Sequence, residues 1–184
     1  EVSLFTFRVD GNTTGFTYTG PTAPDALECY EYKLLQTSST GGVNIYTIRM
    51  TPRTRLKPLF DGTITIADRT FAVMGVDVRP NESFAIPFVR NIELRYRQQF
   101  ALYDSLFWMP TDIRIEGGFN VSMIGLSLPR IGINLVSTIY DYELNRPIPD
   151  SMSQKPRVSV DSSAALYDST FWRRNEVLPL TLGE

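Results

Sequence analysis

Hydrophobic and polar residues alternate along the chain between Gly42 and Val78. The period is two residues, which is typical of strands that bury one face and expose the other. The alternation comes in three runs separated by polar turns, and these runs cover 43–50, 60–66 and 71–78. We therefore predict an antiparallel meander of three strands.

Further alternating runs lie on both sides of this meander. The first lies at 2–9 and is followed by a turn and a short second run. The segment 26–36 also alternates, and its paired tyrosines favour a strand over a helix. Two longer runs, 88–100 and 107–116, predict two more strands.

Glycine and proline indicate where the chain leaves these strands. The segment 38–42 is interpreted as a flexible connection, and Gly117 with Gly118 is interpreted as a turn. Beyond Asn145 the composition shifts to proline, serine and charge. We therefore predict an antiparallel β domain at 1–145 and a linker or arm at 146–184 that contains a short helix.

The whole pattern predicts a mainly β fold. We expect a single twisted antiparallel meander sheet or an incomplete (half) β-barrel, with an extended C-terminal arm. Apolar positions that share a strand face are expected to form one continuous core, which comprises Tyr46, Ile48, Phe60, Ile64, Ile66, Ile92, Leu94, Tyr96, Ile113 and Ile115.

Composition narrows the chemistry that this chain can perform. The 184 residues carry a formal net charge of −2, whereas nucleic-acid modules are usually strongly basic, so we predict no nucleic-acid partner. The chain has one cysteine and no histidine. Zinc sites, Cys/His pairs and Ser-His-Asp triads are therefore excluded within it, and we predict neither a metal nor a cofactor.

The segment 119–135 differs from the rest because Arg130 is its only charged residue. Its apolar residues occupy both strand faces in places, so they are either covered on both sides within this chain or contact something apolar. In the second case the segment would bind a hydrophobic ligand or a protein partner. The candidate contact residues are Met123, Ile124, Leu126, Leu128 and Ile131.

A basic loop connects the first two strands of the meander. Arg53, Arg55 and Lys57 could bind a phosphate or a lipid head group through charge-assisted hydrogen bonds, while the alternative is a solvated loop. Asp61, Asp68 and Asp77 lie nearby, but aspartate is common at turns and strand ends. No two carboxylates can be placed opposite each other from the sequence, so we predict no catalytic residue.

Several short stretches follow one another in an order that resembles a known protein family. They are PDAL at 24–27, YEYKL at 30–34, YTIRMTP at 46–52, LFDGTITIAD at 59–68, WMP at 108–110, YDYELN at 140–145, DSTFW at 168–172 and PLT at 179–181. This order resembles the middle region of a family of large Gram-negative outer-membrane proteins whose function is unknown. Those proteins carry an N-terminal carboxypeptidase-regulatory-like domain and a C-terminal membrane β-barrel.

The resemblance implies a place in the cell envelope, on the periplasmic side of the outer membrane. It also implies that the chain is a piece of a longer protein, joined to the membrane by a barrel that would follow it. The predicted meander looks, more loosely, like the incomplete β-barrel of periplasmic lipoprotein carriers, which wraps an apolar cavity. This sequence shows no long helices to fill such a cavity.

Two functions follow from these observations. The first is a non-catalytic structural or interaction module that binds an apolar ligand or an envelope protein. The alternative is a hydrolase acting on cell-envelope material, which is suggested only by the name of the neighbouring domain in the resembling family. We expect the first.

Overall fold

The computed structural model describes residues 19–84, 88–123, 126–147, 166 and 168–175, and these residues form a mainly β structure. Eight strands belong to one open antiparallel sheet, which confirms the predicted class and the meander. The strands are β1 (Tyr30–Thr40), β2 (Val43–Pro52), β3 (Phe60–Ala67), β4 (Val73–Pro80), β5 (Val89–Tyr103), β6 (Phe107–Met123), β7 (Leu126–Ser127) and β8 (Ile131–Thr138). The helices are α1 (Ala26–Cys29) and α2 (Ser169–Asn175).

Strands β1 to β6 are neighbours in chain order, and β7 and β8 both pair with β6. Ser127 faces Ser122 and Ile131 faces Phe119, so residues 128–130 lie opposite only 120 and 121. Three residues thus lie opposite two, which interrupts the regular pairing as a bulge does. Pro129 lies in this interruption, where its missing N–H removes no hydrogen bond from the ladder. Strands β7 and β8 are therefore two parts of one interrupted edge.

The connection between β1 and β2 is tighter than the sequence suggested. Strand β1 runs to Thr40, and only Gly41 and Gly42 join it to β2. Both glycines have positive φ, 59° and 77°, which is the conformation of a two-residue hairpin turn. The interpretation of 38–42 as a flexible connection was wrong for this reason.

The predicted strand at 26–36 begins with a helical turn instead. Helix α1 covers Ala26–Cys29, and β1 starts only at Tyr30. Ala26, Cys29 and Tyr30 are all buried, a spacing of three and four residues that places side chains on one helical face. That spacing was present in the sequence and was masked by the period-two pattern.

Gly117 and Gly118 do not turn the chain, because β6 runs straight through them to Met123. A Cβ on Gly117 would lie 1.8 Å from the carbonyl oxygen of Glu93, and one on Gly118 would lie 2.6 Å from that of Ile131. Gly117 also has a φ of 141°. The glycines therefore let neighbouring backbones approach closely within the sheet.

The core lies on one face of β1–β4. Its buried members are Ala26, Cys29, Tyr30, Met50, Leu59, Phe60, Ile64, Val76 and Val78. Helix α1 contributes two of them, and Phe84 packs on Phe60 with ring centroids 5.2 Å apart. The predicted core extended over too many strands. The cluster includes the predicted Phe60 and Ile64, and it is contacted by the predicted Ile48, Ile66 and Tyr96. The remaining predicted core residues are half-buried and lie outside the cluster: Tyr46, Ile92, Leu94, Ile113 and Ile115.

Tyr30 joins three parts of this core. Its ring is completely buried, its hydroxyl donates to the carbonyl of Thr19 at 2.6 Å, and the amide of Phe60 donates to the same hydroxyl at 3.1 Å. Burial raises the pKa of Tyr30 to about 12. One side chain thus connects β1, β3 and the segment before α1.

The contacts divide the chain into two compact units, Glu1–Ile139 and Tyr140–Glu184. In the second unit, helix α2 confirms the predicted short helix. Asp168 starts it, because its carboxylate accepts hydrogen bonds from the amides of Thr170 and Phe171 at 2.8 and 3.2 Å. The predicted arm lies largely outside the described residues, and the boundary at 145 stays a prediction.

The two faces of β3 provide a direct test of this packing. Ile64 is 4% exposed within the core, whereas Thr65 points to the opposite face and is only half-buried. We expect Ile64→Ala to lower the free energy of unfolding in urea by about 2–5 kcal/mol, as for other large-to-small core changes. Thr65→Ala is the matched control and should cost less than about 1 kcal/mol. Equal losses would mean that the assignment of faces is wrong.

Candidate functional site

The face of the sheet opposite the core carries many ionisable side chains on neighbouring strands, and we call it the charged face. Side chains alternate between faces along a strand, so each strand that sends apolar residues into the core sends its polar residues here. The register places Asp77 beside Thr63 and Arg97, and Asp61 opposite Arg79. The members on β2–β6 are Arg49, Asp61, Thr63, Asp77, Arg79, Arg95, Arg97, Arg114 and Glu116.

Most of these charges are paired across neighbouring strands. Arg95 donates two hydrogen bonds to Asp77, from Nε to Oδ1 at 2.7 Å and from Nη2 to Oδ2 at 2.5 Å. This bidentate geometry is the strongest form of such a pair. Arg49 also pairs with Asp61 on the neighbouring strand, but through a single hydrogen bond from Nη2. All four side chains are more than a third exposed to solvent, so each ion pair contributes only modestly to the stability of the fold.

Two like charges also face each other on this surface. Arg97 lies directly opposite Arg114, an arrangement that is unfavourable on its own. Carboxylates offset it, because Arg97 pairs with Glu116 and Arg114 pairs with Asp112 at 3.0 Å. The two facing arginines are therefore each neutralised by a carboxylate.

Asp77 has the most strongly perturbed carboxylate on this face. The hydrogen bonds from Arg95 lower the pKa of Asp77, and partial burial opposes them. The charges of Arg95, Arg97 and Arg79 lower it further. A general acid needs a raised pKa at neutral pH, so this shift has the opposite direction.

Two adjoining clefts lie along the strands, and the first is lined mainly by residues of the charged face. The first has a volume of about 330 Å³ and is lined by Arg49, Asp61, Gly62, Thr63, Asp77, Arg79 and Arg95. The second has a volume of about 460 Å³ and shares Arg79 and Arg95 with the first. Gly62 also lines the first cleft. A Cβ on Gly62 would lie 2.1 Å from the carbonyl oxygen of Asp77, so the backbones of β3 and β4 approach closely at this position.

The three aspartates considered from the sequence are not equivalent. Asp61 and Asp77 line the same cleft, each with an arginine partner. Asp68 instead stabilises the turn after β3. Its carboxylate accepts hydrogen bonds from the backbone amide of Arg69 at 2.9 Å and from the side-chain Nδ2 of Asn44 at 3.2 Å. Within the described ranges, no three acidic or cysteine side chains are grouped closely enough to hold a metal ion.

Hydrogen bonds to backbone carbonyls hold the basic loop in place, and its basic residues are exposed to solvent. The carbonyl of Arg55 accepts a hydrogen bond from Ser83, and that of Lys57 accepts one from Asn81 at 2.8 Å. Arg53 folds back, with Nε donating to the carbonyl of Tyr30 at 3.0 Å. The structure therefore does not place Arg53, Arg55 and Lys57 in either cleft, and anion binding by this loop stays a prediction.

The described members of the predicted apolar contact set lie at the end of β6, on β7, between β7 and β8, and at the start of β8. Leu128 and Ile131 are 42% and 39% exposed. Met123 and Leu126 belong to β6 and β7, where only the backbone is described, and Ile124 lies outside the described residues. Their role as a contact surface stays a prediction.

Sequence reasoning missed a larger apolar surface that includes one of these residues. The register aligns Tyr96, at the border of the core, with Ile115 and then with Leu135. The core face thus continues onto β5, β6 and β8, although the buried cluster ends before them. We call this surface the extended apolar face, and its members are Leu94, Ile113, Ile115, Phe119, Ile131, Ile133 and Leu135. The alternation within β8 was the signal that could have revealed it.

Among the described residues, no helix is both long and apolar enough to cross a membrane. In comparisons with known proteins, one family model matches residues 2–133, and its description is "Family of unknown function (DUF5686)". No curated protein and no solved structure matches the chain.

The pairing of Asp77 with Arg95 predicts how stability depends on pH. Because the pKa of Asp77 is lower in the folded protein than its ordinary value of 3.8, the pair stabilises the fold above that value. This stabilisation is lost as the pH falls below 3.8 toward the folded pKa. Asp77→Asn should therefore show a shallower loss of unfolding free energy in urea melts between pH 5 and pH 2. Parallel curves for the two proteins would contradict the pairing.

Proposed function

We propose that this chain, which belongs to the DUF5686 family of unknown function, is a non-catalytic structural and interaction module of the cell envelope. The observation that carries the proposal is the extended apolar face. It is continuous with the core, and at its outer margin Leu135 remains 46% exposed.

The far edge of the sheet supports contact with another apolar surface. Strand β8 reads IGINLVST and contains no charged residue, whereas β1 at the opposite edge contains Glu31 and Lys33. Exposed edges usually carry charge or proline, which hinders association with other strands. Among the described strands, β8 pairs only with β6.

The resemblance supplies the proposed location. We place the module on the periplasmic side of the outer membrane, in a longer protein that is joined to the membrane by a C-terminal barrel. In that setting the charged face lies toward water, and the extended apolar face lies toward a hydrophobic ligand or an envelope protein. Leu128, which precedes Ile131 of this face and is 42% exposed, would extend the same contact.

Two neighbouring residues of β8 test which face is used. Leu135 lies beside Ile115 on the extended apolar face, and Val136 lies beside Arg114 on the charged face. Their exposures are 46% and 44%, so they form a matched pair. We expect the folded protein to bind the dye ANS, which reports exposed apolar surface. Leu135→Asp should reduce the dye fluorescence, while Val136→Asp should leave it unchanged.

Thermal melting must accompany the dye measurement. We expect both variants to unfold cooperatively at similar temperatures, since both residues are already well exposed. The proposal fails if Leu135→Asp unfolds the protein, because the face would then be core. It also fails if the two variants bind the dye equally.

A further inference from the structure

Among the three arginines that line the first cleft, Arg79 is the one that is not paired with a carboxylate of the described residues. Arg49 and Arg95 pair with Asp61 and Asp77. Arg79 lies between these pairs and opposite Asp61, whose carboxylate is already bound to Arg49. Among the described residues, no carboxylate lies within ion-pair distance of Arg79. This leaves one net positive charge at the boundary of the two clefts.

The residues around Arg79 have hydrogen-bond donors to spare. Arg95 uses Nε and Nη2 for Asp77, so its Nη1 is available, and Arg49 uses only Nη2 for Asp61. The hydroxyl of Thr63 makes no hydrogen bond within the described part of the chain. All of these groups line the first cleft, whose two carboxylates are already neutralised.

We propose that this cleft binds a phosphate group, with Arg79 as its main contact and Thr63 as a second donor. Guanidinium groups present planar pairs of N–H donors that match phosphate oxygens, and a phosphate has enough acceptors to bind several donors at once. A volume of about 330 Å³ accommodates such a group with part of the molecule that carries it. The site is independent of the extended apolar face, which lies on the other side of the sheet.

The basic loop provides the control for this proposal. Arg55 is exposed, and its side chain makes no hydrogen bond within the described ranges. Arg55→Gln therefore removes the same charge as Arg79→Gln without touching the cleft. The pair also separates binding in the cleft from binding by the loop.

The probe is inorganic phosphate, titrated at low ionic strength and followed by backbone amide shifts in NMR spectra. We expect the intact protein to show saturable shifts at Gly62, Thr63 and Arg79. Arg79→Gln should weaken binding at least about tenfold, as expected for loss of a charged hydrogen-bond partner. Thr63→Val, which keeps the β-branched shape, should weaken it by a smaller factor. Arg55→Gln should bind phosphate as the intact protein does.

Vesicles then identify the source of the phosphate. If vesicles of phosphatidylglycerol, but not of phosphatidylcholine, retain the protein through Arg79, the ligand is a lipid head group. If neither retains it while phosphate still binds, the ligand is a soluble phosphate compound. The proposal is overturned if phosphate causes no saturable shifts, if folded Arg79→Gln binds normally, or if Arg55→Gln loses binding to the same extent.

Discussion

The structure depends on a mismatch between the width of the sheet and the extent of its core. Each strand sends alternate side chains to opposite faces, so one face of the sheet is mainly apolar and the opposite face of β2–β6 carries the charges. Helix α1, Leu59 and Phe84 cover the apolar face only over β1–β4. Strands β5, β6 and β8 keep the same alternation, and the buried cluster of the described residues does not extend over them. Both proposed binding surfaces follow from this arrangement.

The two surfaces are separated by the sheet itself, and each has its own chemistry. On the covered half, Tyr30 links β1 to β3 and to Thr19 through two hydrogen bonds of one buried hydroxyl. This covered half also contains the cleft around Arg79, since β2, β3 and β4 supply most of its lining. The uncovered half carries the extended apolar face. A ligand in the cleft would therefore meet a preformed site, whereas an apolar partner would complete the other half of the fold.

Period-two alternation was enough to predict the fold class and most strands, because burial of one face imposes that pattern directly. It failed where backbone geometry decides the outcome, as at Gly41 and Gly117, whose positive φ closes one hairpin and allows close approach in β6. The sequence also contains two similar octets, ALYDSLFW at 101–108 and ALYDSTFW at 165–172. Asp104 in the first lies in the turn between β5 and β6, while Asp168 in the second caps α2. The charged cleft could not be predicted, because it depends on the exact register between neighbouring strands, which the alternation alone does not determine.

Amide hydrogen exchange under native conditions tests the central claim, that stability is concentrated in the covered half of the sheet. The account predicts that hydrogen-bonded amides of β3 exchange only through global unfolding. Those of β8 that bond to β6 should exchange through local opening, at a markedly lower free energy. Addition of an apolar partner that covers the extended face should raise the protection of β8 without changing that of β3. Equal protection of β3 and β8 in the isolated protein would contradict the account.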